Sequence, residues 1–289
     1  MINKFAIAVF GWAATSACAA TLFVQPAQAG TLVGDWYYSP DSINDSMAGA
    51  DVGGTKYEIH NMAMQQTSDE VIFAINSNLS LSGTGSQYAH DGHIAWGDLF
   101  MNFTGQSLDA ANNAGELFGI RFASNNESDA PSLGLYSNAT GKDIVRANGL
   151  LLDDLADYNN WIERHGGDPS IGDLSATDPY FNQNRHIQNV IASGTRIGDV
   201  NIVDDLSNLG LDFGQFGATG NHTFAFSVDR ELLPDGEFLA HLGPECDNDV
   251  IAMDGELEEV PEPTTALALG AVGLLVGASR KRRQGDDAS

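Results

Sequence analysis

The chain has 289 residues, of which 39 are acidic and 13 are basic, and its formal net charge is −26. Five of the basic residues lie in the terminal segments, so the long middle part is more acidic still. Such a surface repels phosphate backbones and anionic lipids, which argues against nucleic-acid binding and limits membrane contact to the terminal segments. The middle part is long enough for one domain with its own core.

The first 29 residues are predicted to form a signal peptide. Lys4 supplies a positive charge, and an apolar stretch with small residues follows it. Ala27 and Ala29 form an A-x-A site, so signal peptidase is expected to cut between Ala29 and Gly30. The mature chain would then start at Gly30 and work outside the cytoplasm.

Apolar residues alternate with polar ones through residues 30–253, the predicted β-rich exported domain. A period of two is typical of half-buried strands, and clusters of Gly, Asn, Ser and Asp separate the runs. The pattern predicts a mainly β fold with a single β-sandwich or jelly-roll-like domain. The clearest runs are Val71, Phe73 and Ile75; Phe118, Ile120 and Phe122; and Phe224, Phe226 and Val228.

One short helix and one long loop are predicted to interrupt these strands. Leu152, Leu155 and Ile162 recur at helical spacing, and the two glycines at 166–167 would end the helix. The polar stretch 168–188 is predicted to be a loop between strands, and loops of this length often carry function.

The mature chain has one cysteine, because Cys18 lies in the predicted signal peptide. Cys246 therefore has no partner within the mature chain, and the fold is not a disulfide scaffold despite its export. Cys246 could pair between chains, bind a metal or be buried, and burial is the default for this residue type.

The C-terminal part is predicted to be a sorting signal, residues 260–283, between an acidic spacer at 254–259 and a polar tail at 284–289. Its apolar run is interrupted by glycines and is short for a bilayer, so it forms a weak transmembrane helix. The basic residues after the run are expected to stay cytoplasmic. The signal consists of the tripeptide Pro261, Glu262 and Pro263, the apolar run, and the basic stop Arg280, Lys281, Arg282 and Arg283.

This order of tripeptide, apolar run and basic stop resembles the PEP-CTERM sorting signal of Gram-negative bacteria. The resemblance implies that an exosortase-type membrane protease recognises the tripeptide and cuts near it. It also implies a membrane-anchored precursor whose exported part is released to the cell surface or the extracellular matrix.

The body carries a second resemblance, to cyanobacterial exosortase-dependent surface proteins of the XDD type. Glu245–Asp249 matches an ECxND-like element of related exported proteins, with Asp247 where many of them have Gly. The resemblance implies a surface protein and no established activity. Its other motifs are residues 34–38 (GDWYY), 94–100 (IAWGDLF), 158–161 (YNNW) and 240–244 (AHLGP).

Two sets of residues are candidates for ligand binding. Oxygen atoms of Glu245, Asp247 and Asp249 could hold Ca²⁺ in a loose site, although the segment fails the EF-hand pattern. A hydrogen-bonded strand end is the alternative for this segment. Three tryptophans could stack on sugar rings if exposed, but tryptophans are more often core or partly buried residues. They are Trp36, Trp96 and Trp161.

The sequence favours a non-enzymatic, exported cell-surface or extracellular-matrix protein that acts in adhesion or polysaccharide association. No catalytic motif is recognisable in it. Two alternatives stay open: a secreted hydrolase that acts on glycans through a carboxylate pair, and a Ca²⁺-stabilised binding module.

Overall fold

The structure is a computed structural model, and it describes residues 30–260. Two six-stranded antiparallel sheets face each other in this range. Sheet I contains, in spatial order, β1 (Thr31–Val33), β2 (Trp36–Pro40), β5 (Ile59–Gln66), β6 (Glu70–Ser77), β16 (His222–Asp229) and β15 (Val200–Ile202). Sheet II contains, in spatial order, β14 (Val190–Gly198), β11 (Gly134–Lys142), β10 (Leu117–Arg121), β9 (Leu99–Asn102), β17 (Gly236–Leu242) and β18 (Ile251–Leu257).

Three hairpins, each made of two-residue strands, and two helices lie in the connections between these strands. The hairpins are β3 (Met47–Ala48) with β4 (Asp51–Val52), β7 (Thr84–Gly85) with β8 (His93–Ile94), and β12 (Ser170–Ile171) with β13 (Leu174–Ser175). The helices are α1 (Leu108–Ala114) and α2 (Leu155–Arg164), and single turns of 3₁₀-helix occur at Phe213–Phe216 and Arg230–Leu232.

The main core lies between the two sheets. Val71, Phe73 and Ile75 of β6 belong to it, so the alternation predicted for this strand is confirmed. The rings of Phe122 and Phe226 stack near its middle, with centroids 4.2 Å apart and planes inclined by 6°. The mainly β prediction with antiparallel sheets is therefore confirmed, whereas the jelly-roll connectivity stays a prediction.

Each sheet is also covered on its outer face, which the alternation did not predict. Ile72 and Ala74 of β6 belong to a second apolar cluster with Trp36 and Phe213, outside sheet I. A third cluster outside sheet II includes residues of α1, α2 and the 168–188 region. Strands buried on both faces read as nearly continuous apolar runs, as β6 does.

The predicted helix is α2, and a second helix, α1, was not predicted. The Asp154 side chain caps α2 by accepting a hydrogen bond from the Asp157 amide at 2.9 Å. Helix α1 has only seven residues, and its asparagines are weak helix formers. Its ends carry the expected signals, an N-cap at Ser107 and a left-handed C-cap at Gly115.

Two boundaries drawn from polarity need correction. The predicted loop 168–188 contains the β12–β13 hairpin, and Phe181 and Ile187 in it are buried against sheet II. Residues 254–257 of the predicted acidic spacer form the second half of β18, because Gly255 and Leu257 face inward while Glu256 faces solvent. The β domain thus extends beyond 253, to Leu257.

The predicted signal peptide (1–29), including Ala27 and Ala29, lies outside the described residues. So do the tripeptide at 261–263, the weak transmembrane helix and the polar tail. Across residues 30–260, no helix is long and apolar enough to cross a membrane. Gly30, predicted to follow the cleavage site, is buried, and its amide donates to the carbonyl of Asp254 at 3.4 Å.

Candidate metal centre

Three aspartates from distant parts of the chain meet at one place. Asp41 and Asp45 lie between β2 and β3, and Asp249 lies between β17 and β18. One carboxylate oxygen from each lies within 4.8 Å of the other two. Asp45 and Asp249 are each only 1% exposed, and the Oδ2 atom of the less buried Asp41 is itself shielded from solvent. The three side chains therefore form a shielded acidic cluster.

The β12–β13 hairpin holds the first two aspartates. Oδ1 of Asp41 accepts hydrogen bonds from the amide of Gly172 at 2.9 Å and from the hydroxyl of Ser170. Oδ2 of Asp45 accepts one from the amide of Ser170 at 2.8 Å. Gly172 has φ 58°, and a Cβ there would lie 2.2 Å from the carbonyl oxygen of Ala252, so only glycine lets the hairpin approach β18 this closely.

Asp249 is held by backbone amides at the start of two strands. Its Oδ2 accepts from the amide of Ile59 at 2.6 Å, and its Oδ1 accepts from the amide of Val250 at 2.8 Å. Because Ile59 begins β5 and Asp249 precedes β18, this carboxylate connects sheet I to sheet II.

Glu58 is a fourth carboxylate beside the cluster. It is fully buried, and its Oε2 accepts from the hydroxyl of Ser46 at 2.6 Å and from the amide of Gly54. Its negative charge contributes to raising the pKa of Asp41, Asp45 and Asp249, so it lies within electrostatic reach of all three.

Three oxygens of this group have no hydrogen-bond partner although they are shielded from water. They are Oδ2 of Asp41, Oδ1 of Asp45 and Oε1 of Glu58. An ionised carboxylate can only accept hydrogen bonds, and leaving such an oxygen buried without a partner costs free energy. In each of these side chains the other oxygen is bonded, so the unpaired oxygens are the ones available to a ligand.

The electrostatics of the group are unfavourable for four bare charges. Burial raises the pKa of Asp41 to about 7, and burial with the neighbouring Asp41 charge raises the pKa of Asp45 to about 9. Burial and the charges of Asp45 and Asp41 also raise the pKa of Asp249 well above its usual range. The ion pairs found between residues 30 and 260 include none of these carboxylates. Protons or a bound cation must therefore neutralise the cluster.

The structure separates the three predicted metal ligands. Only Asp249 belongs to the acidic cluster. Glu245 lies outside the cluster, where its Oε2 accepts from the amide of Ala95 at 2.9 Å and its Oε1 accepts from the amide of Glu127. Asp247 has φ 45°, and its Oδ1 accepts from the Asn189 side chain at 3.0 Å. Sequence reasoning missed Asp41, Asp45 and Glu58; the oxygen-rich run Asp41-Ser42-Ile43-Asn44-Asp45 was the one local signal.

The three tryptophans proposed for sugar stacking do not form an exposed platform. Trp36 and Trp96 are 2% and 0% exposed, and their indole N–H groups donate to the carbonyls of Leu209 and Ser80. The half-buried Trp161 stacks on His165, with centroids 4.1 Å apart. The first two are core residues because their large apolar area is worth most when buried.

Comparisons with known proteins identify the C-terminal segment. Residues 259–283 match the family model described as the PEP-CTERM protein-sorting motif. No curated protein and no solved structure matches the chain. The matched motif covers Pro261, Glu262, Pro263 and the basic stop at 280–283, which lie outside the described residues. It supports an exported protein that is processed by an exosortase, a membrane protease, and a membrane-anchored precursor that becomes a cell-surface protein.

Proposed function

We propose that the chain is a non-enzymatic surface protein whose β domain associates with the extracellular matrix, through adhesion or polysaccharide binding. The sorting motif carries this proposal, because it begins at residue 259, two residues after the end of β18. The domain would therefore be held close to the membrane until an exosortase cuts the chain, and then be delivered to the matrix.

The acidic cluster supports a structural use of its carboxylates. A glycosidase needs two carboxylates about 5–10 Å apart that face a sugar. Here Asp45 and Asp249 are almost fully buried and bonded to backbone amides. The neighbouring cavity, lined by Tyr158, Ser170 and Asp247 among others, has a volume of about 20 Å³, enough for about one water molecule but not a sugar.

An open groove at another part of the surface offers more suitable chemistry for a polysaccharide. Its volume is about 540 Å³, within the range of ligand sites, and no carboxylate lines it. Hydroxyl and amide groups in it can bond sugar hydroxyls, while Leu81 and Leu133 offer apolar contact. Its polar lining residues are Ser80, Ser82, Ser124 and Asn125.

Cosedimentation with the extracellular polysaccharide of the host tests this proposal. The exported protein should sediment with the polysaccharide and release no reducing ends from it. Asn125→Ala, in the groove, should weaken the association, whereas Asn184→Ala, at another exposed asparagine, should leave it unchanged. Release of reducing sugars would favour the hydrolase alternative, and equal loss of sedimentation in both variants would reject the groove.

Deletion of the host exosortase tests delivery separately. The precursor should then accumulate in the membrane fraction with its C-terminal segment intact by mass spectrometry. An unchanged mature protein in the matrix of the deletion strain would contradict processing by that protease.

A further inference from the structure

We propose that Asp41, Asp45 and Asp249 bind one Ca²⁺ ion that holds the two sheets together, with Glu58 as a nearby carboxylate outside the ligand set. The site goes beyond the surface role proposed above and does not depend on it. The metal ligands would come from two separate parts of the chain, at 41–45 and 249.

The donor atoms point to a hard cation. All three side chains offer oxygen, and Ca²⁺ accepts six to eight oxygen ligands in flexible geometry. The cluster includes no sulfur or imidazole ligand, which zinc and copper prefer. Mg²⁺ usually keeps several waters and demands octahedral geometry, so a shielded group of three carboxylates suits it less.

The unpaired oxygens provide the second, independent line of evidence. Asp45 is 1% exposed and Glu58 is 0% exposed, yet Oδ1 of the first and Oε1 of the second lack any hydrogen-bond partner. Buried polar atoms in native proteins are nearly always satisfied, so each unpaired atom calls for an explanation. One cation between the three aspartates would satisfy Oδ1 of Asp45 and Oδ2 of Asp41, and would offset the charge of the neighbouring Glu58.

Bound Ca²⁺ would strengthen connections that the protein already makes. Each aspartate is anchored by backbone amides, Asp41 and Asp45 to the β12–β13 hairpin and Asp249 to the start of β5. The hydroxyl of Tyr158 lies 2.6 Å from the carbonyl of Asp45, so α2 also supports the site. Without the ion, protons would have to neutralise these carboxylates, and the link between hairpin, helix and both sheets would be lost.

The affinity should suit the outside of a cell. Sites in extracellular modules bind Ca²⁺ with dissociation constants of about 10⁻⁴–10⁻³ M. At about a hundredfold excess of Ca²⁺ over the dissociation constant, the melting temperature of a domain of this size should rise by about 5–10 °C.

The experiment compares melting of the full chain in detergent with 10 mM CaCl₂, with 10 mM MgCl₂ and with EDTA. With dissociation constants of about 10⁻⁴–10⁻³ M, 10 mM Ca²⁺ is about a 10- to 100-fold excess, so the unchanged protein should melt about 3–10 °C higher with Ca²⁺ than with EDTA. Asp45→Asn and Asp249→Asn should lose this shift. In EDTA, Asp45→Asn should melt no lower than the unchanged protein, because its one amide oxygen can still accept from the Ser170 amide, whereas Asp249→Asn loses one of two backbone acceptors and should melt lower. Asp98→Asn is the matched control, since Asp98 is equally buried but lies outside the cluster, with its oxygens bonded to Asn126 and Ile191. It should keep the full Ca²⁺ shift.

Terbium binding gives a second measurement that does not depend on melting. Tb³⁺ should luminesce when Tyr158 is excited, and Ca²⁺ should compete it away. Equal melting temperatures in Ca²⁺ and EDTA, combined with no terbium signal, would overturn the proposal and leave protons as the neutralising species. A Ca²⁺ shift that persists in Asp45→Asn and Asp249→Asn would overturn it too, as would an equal shift with Mg²⁺.

Discussion

Replacement of Glu245 by alanine should destabilise the domain more than most single changes. The Glu245 carboxylate is fully buried and accepts hydrogen bonds from the amides of Ala95 and Glu127. Glu245→Ala would leave two amides in the interior without an acceptor, at about 1–3 kcal/mol each. The expected loss is therefore about 2–6 kcal/mol in the free energy of unfolding.

Thermal unfolding of the exported protein, followed by circular dichroism, measures this loss. A domain of this size loses about 2–4 °C for each kcal/mol, so the melting temperature should fall by at least about 4 °C. Glu256→Ala is the control, because Glu256 is exposed on β18 and lies opposite Glu237, where like charges repel. Its melting temperature should stay equal or rise slightly. A Glu245→Ala protein that melts within about 1 °C of the parent would refute the role of this carboxylate as a backbone acceptor.

Three further predictions concern the interior. Burial lowers the pKa of His241 to about 4, so the unfolded chain takes up the proton first as the pH falls. The free energy of unfolding should therefore fall by about 3 kcal/mol as pH drops from about 6.5 to 4. Urea unfolding of His241→Phe should lack this part of the pH profile, and a profile equal to that of the parent protein would contradict the role of His241. Cys246 is fully buried, and burial raises the pKa of its thiol. Iodoacetamide should therefore label Cys246 only after unfolding. Labelling of the native protein, or a disulfide-linked dimer, would contradict this burial. Phe226→Ala removes a ring stacked on Phe122 and should cost about 3–5 kcal/mol by urea unfolding, whereas a cost under about 1 kcal/mol would contradict close packing there.

The strands were predictable because one face of each had to be apolar. Phe224, Phe226 and Val228 all lie in the core between the sheets, as their alternation indicated. The coverage of the outer faces was not predictable, since the 3₁₀ turn at Phe213–Phe216 and the helices that cover them lie in connecting segments, and the strand pattern does not report where such segments fold back. Period-two patterns report which residues share a face, but not what covers the other face.

The acidic cluster was predictable only in part, because its members meet through the fold. Asp249 was a candidate from its local run of carboxylates. Asp41 precedes it by more than two hundred residues, and nothing near either residue indicates that they are neighbours. Glu245 was misleading for the opposite reason, since a carboxylate that only accepts from backbone amides and a carboxylate that also meets other carboxylates look identical in sequence.

The segment Glu245–Asp249 therefore links parts of the fold through hydrogen bonds just before the last strand. At its first residue, Glu245 bonds the amides of Ala95 and Glu127, and at its last, Asp249 bonds the amide of Ile59 in sheet I. The strand that follows, β18, is an edge strand of sheet II. The hydroxyl of Ser39 and the amide and carboxylate of Asp173 form hydrogen bonds with the backbone groups on its free side. Covered edges resist pairing with other chains. Since the sorting motif begins at residue 259, tension on the membrane-anchored precursor would act on β18. The hydrogen bonds of Glu245–Asp249 before this strand, and those along its free side, hold it in the fold.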